Sequence, residues 1–519
     1  MQNQKKKGNK LVFILKKLHQ LWRWCSSKRD KLNHLMHKKY TSGRVAFAAS
    51  LAITLLWIIM LFVPPYLGVA DDGSLYKVMD RAGLSYIEGD ADDIYNNYYV
   101  REYLIHDDIT VKEKAGNSQD LFVRAAVFID QMITGDQTFD LRFLALLYGI
   151  FYIPAIFLIV NNACKKVSNF SEAAFIGILG VFIFGDISYI TYFSSFYPEA
   201  LWIVCLASCI GWICNLESKK GGYINLIALL IYGIIFTTTR QQCAVIGFIL
   251  AGFFIRVAFI NKKFWWKTSC VLFSFIMSMT GVFSVGILES DFSLTSKYHT
   301  MTRGVLFQAS NPEKALEEFG IDPSYSIMSK TSAYNYYPFI LPDDPKLKEE
   351  FYNQYDTADI IIYYIKHPVS FLRMLDLSVK NETNLHRDYC GNYEKNHGMP
   401  KMAKGIFWSG WNYFKVRSAP QTIAYPIILL ILSYLISISK RKEKRTEIEK
   451  GSYNLTNLTF ILLAIGISQA AITIVMSGDA EFTQHAFLLG SSMDMIVYFI
   501  VAEALSKLKI FEDGGRDEK

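Results

Sequence analysis

The stretch AFAASLAITLLWIIMLFVPPYLGVADD, residues 46–72, carries the strongest fold signal in the chain. Residues 46–68 contain no charge, and about 20 apolar residues are enough for a helix to cross about 30 Å of hydrocarbon. A helix is the expected form because its backbone N–H and C=O groups bond within the segment. The acids Asp71 and Asp72 follow directly. The stretch therefore predicts a membrane-spanning helix that ends beside two carboxylates.

Similar apolar runs recur along the chain, in which 51% of the residues are hydrophobic. They predict an all-α polytopic membrane protein of about ten transmembrane helices. The predicted spans are 46–68, 141–162, 172–191, 199–216, 223–239, 243–260, 268–289, 420–439, 455–476 and 486–506.

The positive charges in the short loops predict the orientation of these spans. The loops with Lys165–Lys166, Lys262–Lys263 and Lys440–Arg441–Lys442 share one side when the N-terminus is placed in the cytoplasm. We therefore expect a plasma-membrane protein with both termini cytoplasmic, and a cytoplasmic tail at 507–519. The net charge of +7 is then an orientation signal, with no nucleic acid as partner. Residues 1–45 are basic with interspersed apolar residues, which predicts an amphipathic segment on anionic membrane lipids.

Two extracytoplasmic segments are too long to be turns. The first outer loop, 69–140, contains a pattern for a surface helix at 120–134. The second, 290–419, lies between spans one to seven (46–289) and spans eight to ten (420–506). It contains signals for the starts and ends of helices at Asn311–Pro312, Gly320, Asp344–Pro345 and His367–Pro368. This predicts a partly helical external domain with irregular structure over 385–412.

Several polar residues lie close to the ends of the predicted spans on the outer side. A charge beside hydrocarbon costs about 2.5–3.5 kcal/mol on insertion scales, so each one requires a reason. Asp71 and Asp72 either begin a solvated loop or supply a carboxylate that accepts a proton or binds a metal. Glu199 either caps the helix that follows Pro198 or belongs to a site, and Tyr197 fits either an interfacial aromatic belt or a site.

The remaining candidates also have two interpretations each. Arg240, next to Gln241, either extends to lipid headgroups or binds phosphate through its planar set of donors. Asp186 lies near the outer end of the third span, and Asp479, Glu481 and His485 share the last outer turn. Such a turn is weak evidence for a metal site. The whole set of candidates matters more than any member, because acids, an arginine and many tyrosines gather on one side of the membrane.

Four stretches resemble membrane glycosyltransferases of the GT-C class, and more narrowly bacterial enzymes that transfer hexoses to surface glycans. They are DDGSLYKVM (71–79), YFSSFYPEA (192–200), YHTMTRGVLFQASNP (298–312) with FGID (319–322), and GDAEFTQH (478–485). They follow one another in the expected order. Arg303, in the third stretch, joins the candidate substrate-binding residues.

The resemblance implies a polyprenyl-phosphate-linked hexose as donor and a growing cell-surface glycan as acceptor. It also implies an inverting displacement outside the cell, in which Asp71 or Asp72 accepts the proton of the acceptor hydroxyl. Arg240 then holds the departing polyprenyl phosphate, and Glu199 orients sugar or acceptor. The class does not agree on metal dependence, so the cofactor stays open between none and a divalent metal.

Two other functions compete with this one. A carrier that moves a polyprenyl-linked sugar across the bilayer predicts ionisable groups in the middle of several spans. The central parts of the spans are nearly uncharged, with Asp494 as the main exception and Glu503 nearer the cytoplasmic end. An accessory scaffold for a separate synthase would be active only with that partner.

Overall fold

In the computed structural model, the apolar runs of the sequence form helices. The described residues are 41–508 apart from 88–94, 96, 107–115, 168, 219–221, 289–293, 334–341, 440–452, 481 and 483–486, together with scattered positions between 16 and 33. Most of the predicted basic segment 1–45, the tail beyond 508 and the candidate His485 lie outside the described residues.

The first predicted span is helix α1, Ser42–Phe62, which begins and ends earlier than 46–68. The Thr41 side chain caps it by accepting the Arg44 backbone N–H. Two prolines, Pro64 and Pro65, follow its end, and proline lacks the N–H that a helix interior needs. The chain therefore leaves the helix and continues as the extended strand β1, Leu67–Val69.

A small domain follows α1 and confirms the predicted surface helix. Its elements in chain order are α2 (Tyr76–Arg81), β2 (Leu84–Ser85), β3 (Glu102–Ile105), α3 (Ser118–Thr134) and β4 (Thr138–Asp140). The three strands form an antiparallel sheet in the order β2-β3-β4. Helix α3 starts with a reciprocal capping box between Asn117 and Asp120 and ends at the left-handed Gly135.

Seven helical elements then follow along the chain. They are α4 (Leu141–Cys164), α5 (Phe170–Phe184), α6 (Ile187–Ile190), α7 (Glu199–Glu217), α8 (Tyr223–Thr237), α9 (Ala244–Ala258) and α10 (Phe264–Ile287). The predicted third span, 172–191, is not one straight helix, because α5 and the segment that begins with α6 meet at 51°. Asp186 lies at the bend and starts α6 by accepting the Ser188 backbone N–H.

The segment that was predicted to form an external domain, 290–419, contains several short helices. Its elements are α11 (Leu294–His299), a π-helical turn (Thr300–Val305), α12 (Leu306–Gln308), α13 (Pro312–Glu317), α14 (Pro345–Glu350), α15 (Thr357–Lys366), α16 (Pro368–Glu382), β5 (Cys390–Tyr393) and α17 (Gly410–Ser418). Asn311 and Asp344 cap α13 and α14, and His367 separates α15 from α16. The stretch 385–412 is more ordered than predicted, since β5 pairs antiparallel with β1.

The chain ends with α18 (Ala424–Ile438), α19 (Leu455–Ser477) and α20 (Phe487–Leu508). Among the described residues, seven helices are long and apolar enough to cross a membrane, or eight if the bent pair α5–α6 counts as one span. The apolar helices α8 and α18 have 15 residues each, or about 22 Å. Each of the ten predicted spans thus coincides with an apolar helix, but two of these helices are short.

The ends of these helices form two faces. The loop face comprises residues 63–75, 191–198, 238–243 and 477–480, and described residues of the segments 76–140 and 294–423 make contacts with it. Hydrogen bonds between Asp72 and Tyr197, and between Ser118 and Thr238, join these loops. At the opposite face, ion pairs join Arg256 to Glu217 and Lys166 to Glu503. Because seven or eight helices among the described residues are long and apolar enough to cross a membrane, the chain is a polytopic all-α membrane protein.

Candidate functional site

Asp71 and Asp72 occupy a tight turn between β1 and α2. Gly73 adopts φ +88°, a conformation that favours glycine. Its N–H donates to Asp71 Oδ1 at 2.6 Å, while the N–H and hydroxyl of Ser74 donate to Asp72 Oδ1 at 2.9 and 2.6 Å. The turn therefore fixes both carboxylates relative to the end of α1, and we call residues 71–74 the acid turn.

The two carboxylates differ in their surroundings. Asp71 is only 2% exposed and accepts a hydrogen bond from the Tyr86 hydroxyl. Burial raises the pKa of Asp71, and the hydrogen bonds from Tyr86 and Gly73 only partly offset this effect. Asp72 is partly exposed. A substrate can therefore reach Asp72 more directly than Asp71.

Tyrosines from distant parts of the chain surround the acid turn. The Tyr197 hydroxyl accepts the Asp72 N–H at 3.0 Å and donates to the Ala70 carbonyl at 3.2 Å. Its ring stacks on Tyr389, with centroids 5.7 Å apart and planes at 22°. The Ala70 N–H donates to the Tyr389 carbonyl at 2.8 Å. The predicted candidate Tyr197 is thus a direct neighbour of the acid turn, and the segment 294–423 contributes Tyr389 to it.

Tyr95 forms an exposed rim to the acid turn. Its ring lies against Gly73, where an added Cβ would be 2.9 Å from a ring carbon. The side chain is 68% exposed, and its backbone has φ 59°, which is rare outside glycine. An exposed aromatic face beside a carboxylate provides a surface on which a sugar ring can stack.

Glu199 lies behind the tyrosines and is completely buried in the first turn of α7. It interacts electrostatically with Tyr192 and Tyr389. Arg387 interacts electrostatically with the same two tyrosines and forms a buried ion pair with Glu382 at 2.5 Å. Arg387 was not predicted from the sequence, where its one signal is that it is a basic residue within an aromatic stretch.

Arg240 belongs to a cluster of arginines around Asp120. The Asp120 carboxylate is 1% exposed, and Arg81 Nε lies 3.1 Å from its Oδ2. Burial raises the pKa of Asp120, whereas Arg81, Arg124 and Arg240 each lower it. The Arg124 Nε also donates to the Arg81 carbonyl at 2.9 Å. We call Arg81, Arg124 and Arg240 the arginine cluster; its first two members were not found from the sequence.

Polar contacts connect the arginine cluster to the acid turn. Near Arg240, the Thr238 carbonyl accepts the Ser118 N–H at 3.1 Å at the start of α3. The next residue, Gln119, donates its side-chain amide to the Phe196 carbonyl, adjacent to Tyr197. The structure thus connects Arg240 with Asp72 through α3 and Tyr197. Among the described residues, Arg240 itself makes no hydrogen bond or ion pair with the acid turn.

Two other candidates, Gln241 and Asp186, make hydrogen bonds that hold structural elements together. Gln241 donates its side-chain amide to the Val285 carbonyl at 2.8 Å and so holds the end of α10. The carboxylate of Asp186 accepts the N–H of Ser188 at 3.0 Å and that of Asn412 at 3.1 Å, which joins the bend of the third span to α17.

Arg303 and Asp479 are partners of each other. The guanidinium makes two hydrogen bonds to the carboxylate, Nε to Oδ1 at 2.7 Å and Nη2 to Oδ2 at 2.9 Å. Burial raises the pKa of Asp479, and Arg303 acts in the opposite direction. The pair attaches the π-helical turn to the loop after α19. His485 and Glu481 of this loop lie outside the described residues, and the described part of the chain has no group of three or more metal-ligating side chains.

Comparisons with known proteins identify the family of the chain. No match was found among curated proteins, nor among solved structures. One family model matches residues 31–519, which cover the acid turn, the arginine cluster and all the helices above. The chain therefore belongs to the family described as the YfdI N-terminal transmembrane domain.

Proposed function

We propose that the protein is a membrane glycosyltransferase of the GT-C type. In this proposal it moves a hexose from a polyprenyl-phosphate donor to a hydroxyl of a cell-surface glycan. The loop face then lies outside the cell, at the plasma membrane, as the positive charges of the opposite loops favour. The observation that carries the proposal is the acid turn at the end of α1, lined by Tyr86, Tyr95 and Tyr197 and connected to the arginine cluster.

The proposed reaction is a single displacement with inversion. The acceptor O–H gives its proton to the Asp72 carboxylate while its oxygen forms a bond to the anomeric carbon of the hexose. The bond from that carbon to the phosphate oxygen breaks, and polyprenyl phosphate leaves with the electron pair. Asp72 is our choice of base because it is partly exposed, whereas the buried Asp71 holds the turn through Gly73 and Tyr86.

The arginine cluster is suited to the departing phosphate. Arg81 contacts the buried Asp120 carboxylate, and Arg124 and Arg240 are close enough to lower the pKa of this carboxyl group, so three cations lie near one acid. Guanidinium groups bind phosphate oxygens through paired N–H donors. In this proposal Arg240 and Arg124 bind the phosphate, and Asp120 keeps Arg81 in place through their 3.1 Å contact.

The first experiment is transfer by the purified protein in lipid nanodiscs, supplied with radiolabelled polyprenyl-phosphate hexose and a glycan acceptor. We expect labelled glycan and release of polyprenyl phosphate. Replacing Asp72→Asn removes the base and should lower the rate about 10²- to 10⁴-fold. Asp71→Asn should lower it less. Glu349→Gln, at an exposed acid of α14, is the control and should keep the wild-type rate.

The outcome also separates the competing functions. Full transfer by both Asp71→Asn and Asp72→Asn variants would refute the catalytic assignment. Reconstituted protein that moves labelled lipid-linked sugar between leaflets but forms no glycan product would indicate a carrier. Activity that appears only after a second protein is added would indicate an accessory scaffold.

A further inference from the structure

Helices α15 and α16 form an elbow at His367 whose outer side is aliphatic. The side chains of Ile361, Ile362, Ile365, Val369 and Leu372 are 45%, 48%, 73%, 60% and 50% exposed. The other side of the elbow is packed, since Tyr363, Tyr364, Met374 and Leu375 are buried. Each helix is therefore amphipathic, and its aliphatic side has no partner within the described part of the chain. We call the five exposed side chains the elbow patch.

The elbow patch is located near the apolar helix α18. The Asp376 carboxylate of α16 accepts the Ile423 N–H at 2.8 Å, immediately before α18 begins. Helix α18 exposes Ile427, Ile428 and Ile431 at 50%, 40% and 51%, as expected for a surface in contact with lipid. Helix α16 thus meets the start of α18 one helical turn beyond Leu372, the last residue of the elbow patch.

The charges around the patch favour an anionic surface as its occupant. Lys366 and Arg373 are exposed and flank the patch within the elbow. His367 is paired with Glu318 at 3.0 Å, and Asp359 takes part in the capping box at the start of α15. Interfacial helices combine an aliphatic side with flanking basic residues, whose apolar stems enter the bilayer while the charges reach lipid phosphates.

We infer that the elbow patch is inserted into the bilayer interface and that Lys366 and Arg373 bind the phosphates of anionic lipids. The inference is independent of the proposed function, because it holds for an enzyme, a carrier or a scaffold. It makes α15 and α16 a second membrane anchor for the segment 294–423, in addition to the spans that flank this segment. A protein partner on the same surface is the competing occupant, and the following experiment distinguishes the two.

The test uses a polarity-sensitive fluorophore on single cysteines in the full-length protein. The seven described cysteines are buried and should not react, and Cys25→Ser removes the eighth. Ile365→Cys places the probe in the patch, and Lys348→Cys places it on the exposed side of α14 as the control. Each labelled variant is reconstituted in vesicles of zwitterionic lipid, with or without anionic lipid, and with or without brominated acyl chains.

We expect a blue-shifted emission at position 365 that brominated lipid quenches by at least about half, and a water-like, unquenched signal at position 348. Lys366→Glu with Arg373→Glu should abolish the additional quenching that anionic lipid produces. A water-like signal at position 365 in all vesicles would overturn the inference. A blue shift without quenching by brominated lipid would also overturn it, since the patch would then be covered by protein.

Discussion

Asp71 and Asp72 are adjacent in sequence but occupy different environments. Asp71 is buried against the Tyr86 hydroxyl, and Asp72 is partly exposed beside Ser74. Sequence reasoning located the pair because charges directly after an apolar run are rare and costly. It left the choice of base open, since that choice depends on Tyr86, which reaches the turn from the end of a strand in the same loop.

The rest of the candidate site shows the same limit of prediction. Tyr197 and Glu199 could be found because they flank the start of a predicted span. Tyr389 and Arg387 could not, because they reach the site through the pairing of β5 with β1, two strands of three and four residues. Such short strands leave almost no periodic signal in a sequence.

His386 gives the site region a dependence on pH. Burial lowers the pKa of His386 from 6.5 to about 4, so the folded protein favours the neutral imidazole. The unfolded chain binds this proton more readily, and the free energy of unfolding therefore declines as the pH falls from about 6.5 towards 4. Between pH 7 and pH 5 we expect a loss of about 1–2 kcal/mol from this residue.

The measurement is thermal unfolding in detergent at pH 7 and pH 5 for the wild type and for His386→Gln. Other groups titrate in both proteins, so the difference between the two pH dependences reports on His386. Equal dependences in wild type and variant would show that the imidazole titrates as it does in the unfolded chain.

At the scale of elements, the π-helical turn is attached to the last pair of spans. Its Arg303 carries two hydrogen bonds to Asp479, and the Thr300 hydroxyl donates to the Met476 carbonyl at 2.5 Å. Gly478 permits this contact, because an added Cβ would be 2.5 Å from the backbone of Arg303. The segment 294–423 is thus attached to the end of α19 by both backbone and side-chain contacts.

The energy of this attachment can be measured with a double-mutant cycle. Arg303→Ala and Asp479→Ala should each destabilise the protein, and the double variant should lose less than the sum of the two. The paired geometry and the partial burial of Asp479, whose side chain is 9% exposed, lead us to expect a coupling of about 1–2 kcal/mol. Unfolding by denaturant in mixed micelles gives each value. Strict additivity would mean that the pair contributes nothing to stability.

Helix positions were predicted well because long apolar runs have one stable form in a bilayer. The bend in the third span was missed, although Gly185–Asp186 marks it. The average hydropathy of a long apolar window hides such a pair. The bend shows only in the folded chain, where Asp186 caps α6 and accepts the Asn412 N–H.

At the scale of the whole molecule, a buried ion pair explains the charge within the last span. Asp494 of α20 and Lys415 of α17 are each 1% exposed and lie 2.9 Å apart. The Tyr189 hydroxyl of α6 donates to the same carboxylate at 2.6 Å. The segment 294–423 is therefore joined to two spans by a contact that water does not reach.

Removing one partner of this pair should be costly. Lys415→Met leaves a buried carboxylate without its cation, which costs about 3–5 kcal/mol. The double change Lys415→Met with Asp494→Leu removes both charges and should recover much of that loss. The amount of folded protein in membranes and its melting temperature in detergent report the effect. A single variant as stable as the wild type would show that the ion pair is dispensable.

The same ion pair constrains the order in which the protein is assembled. Lys415 is synthesised before α18, whereas Asp494 belongs to α20, which is synthesised later. The lysine therefore cannot meet this partner until α20 has been made, and α20 must bring its acid into the bilayer to meet it. Without α20, the segment 294–423 would keep its contacts with α19 but would lack this ion pair. The segment can therefore reach its final packing only after α20 has been inserted.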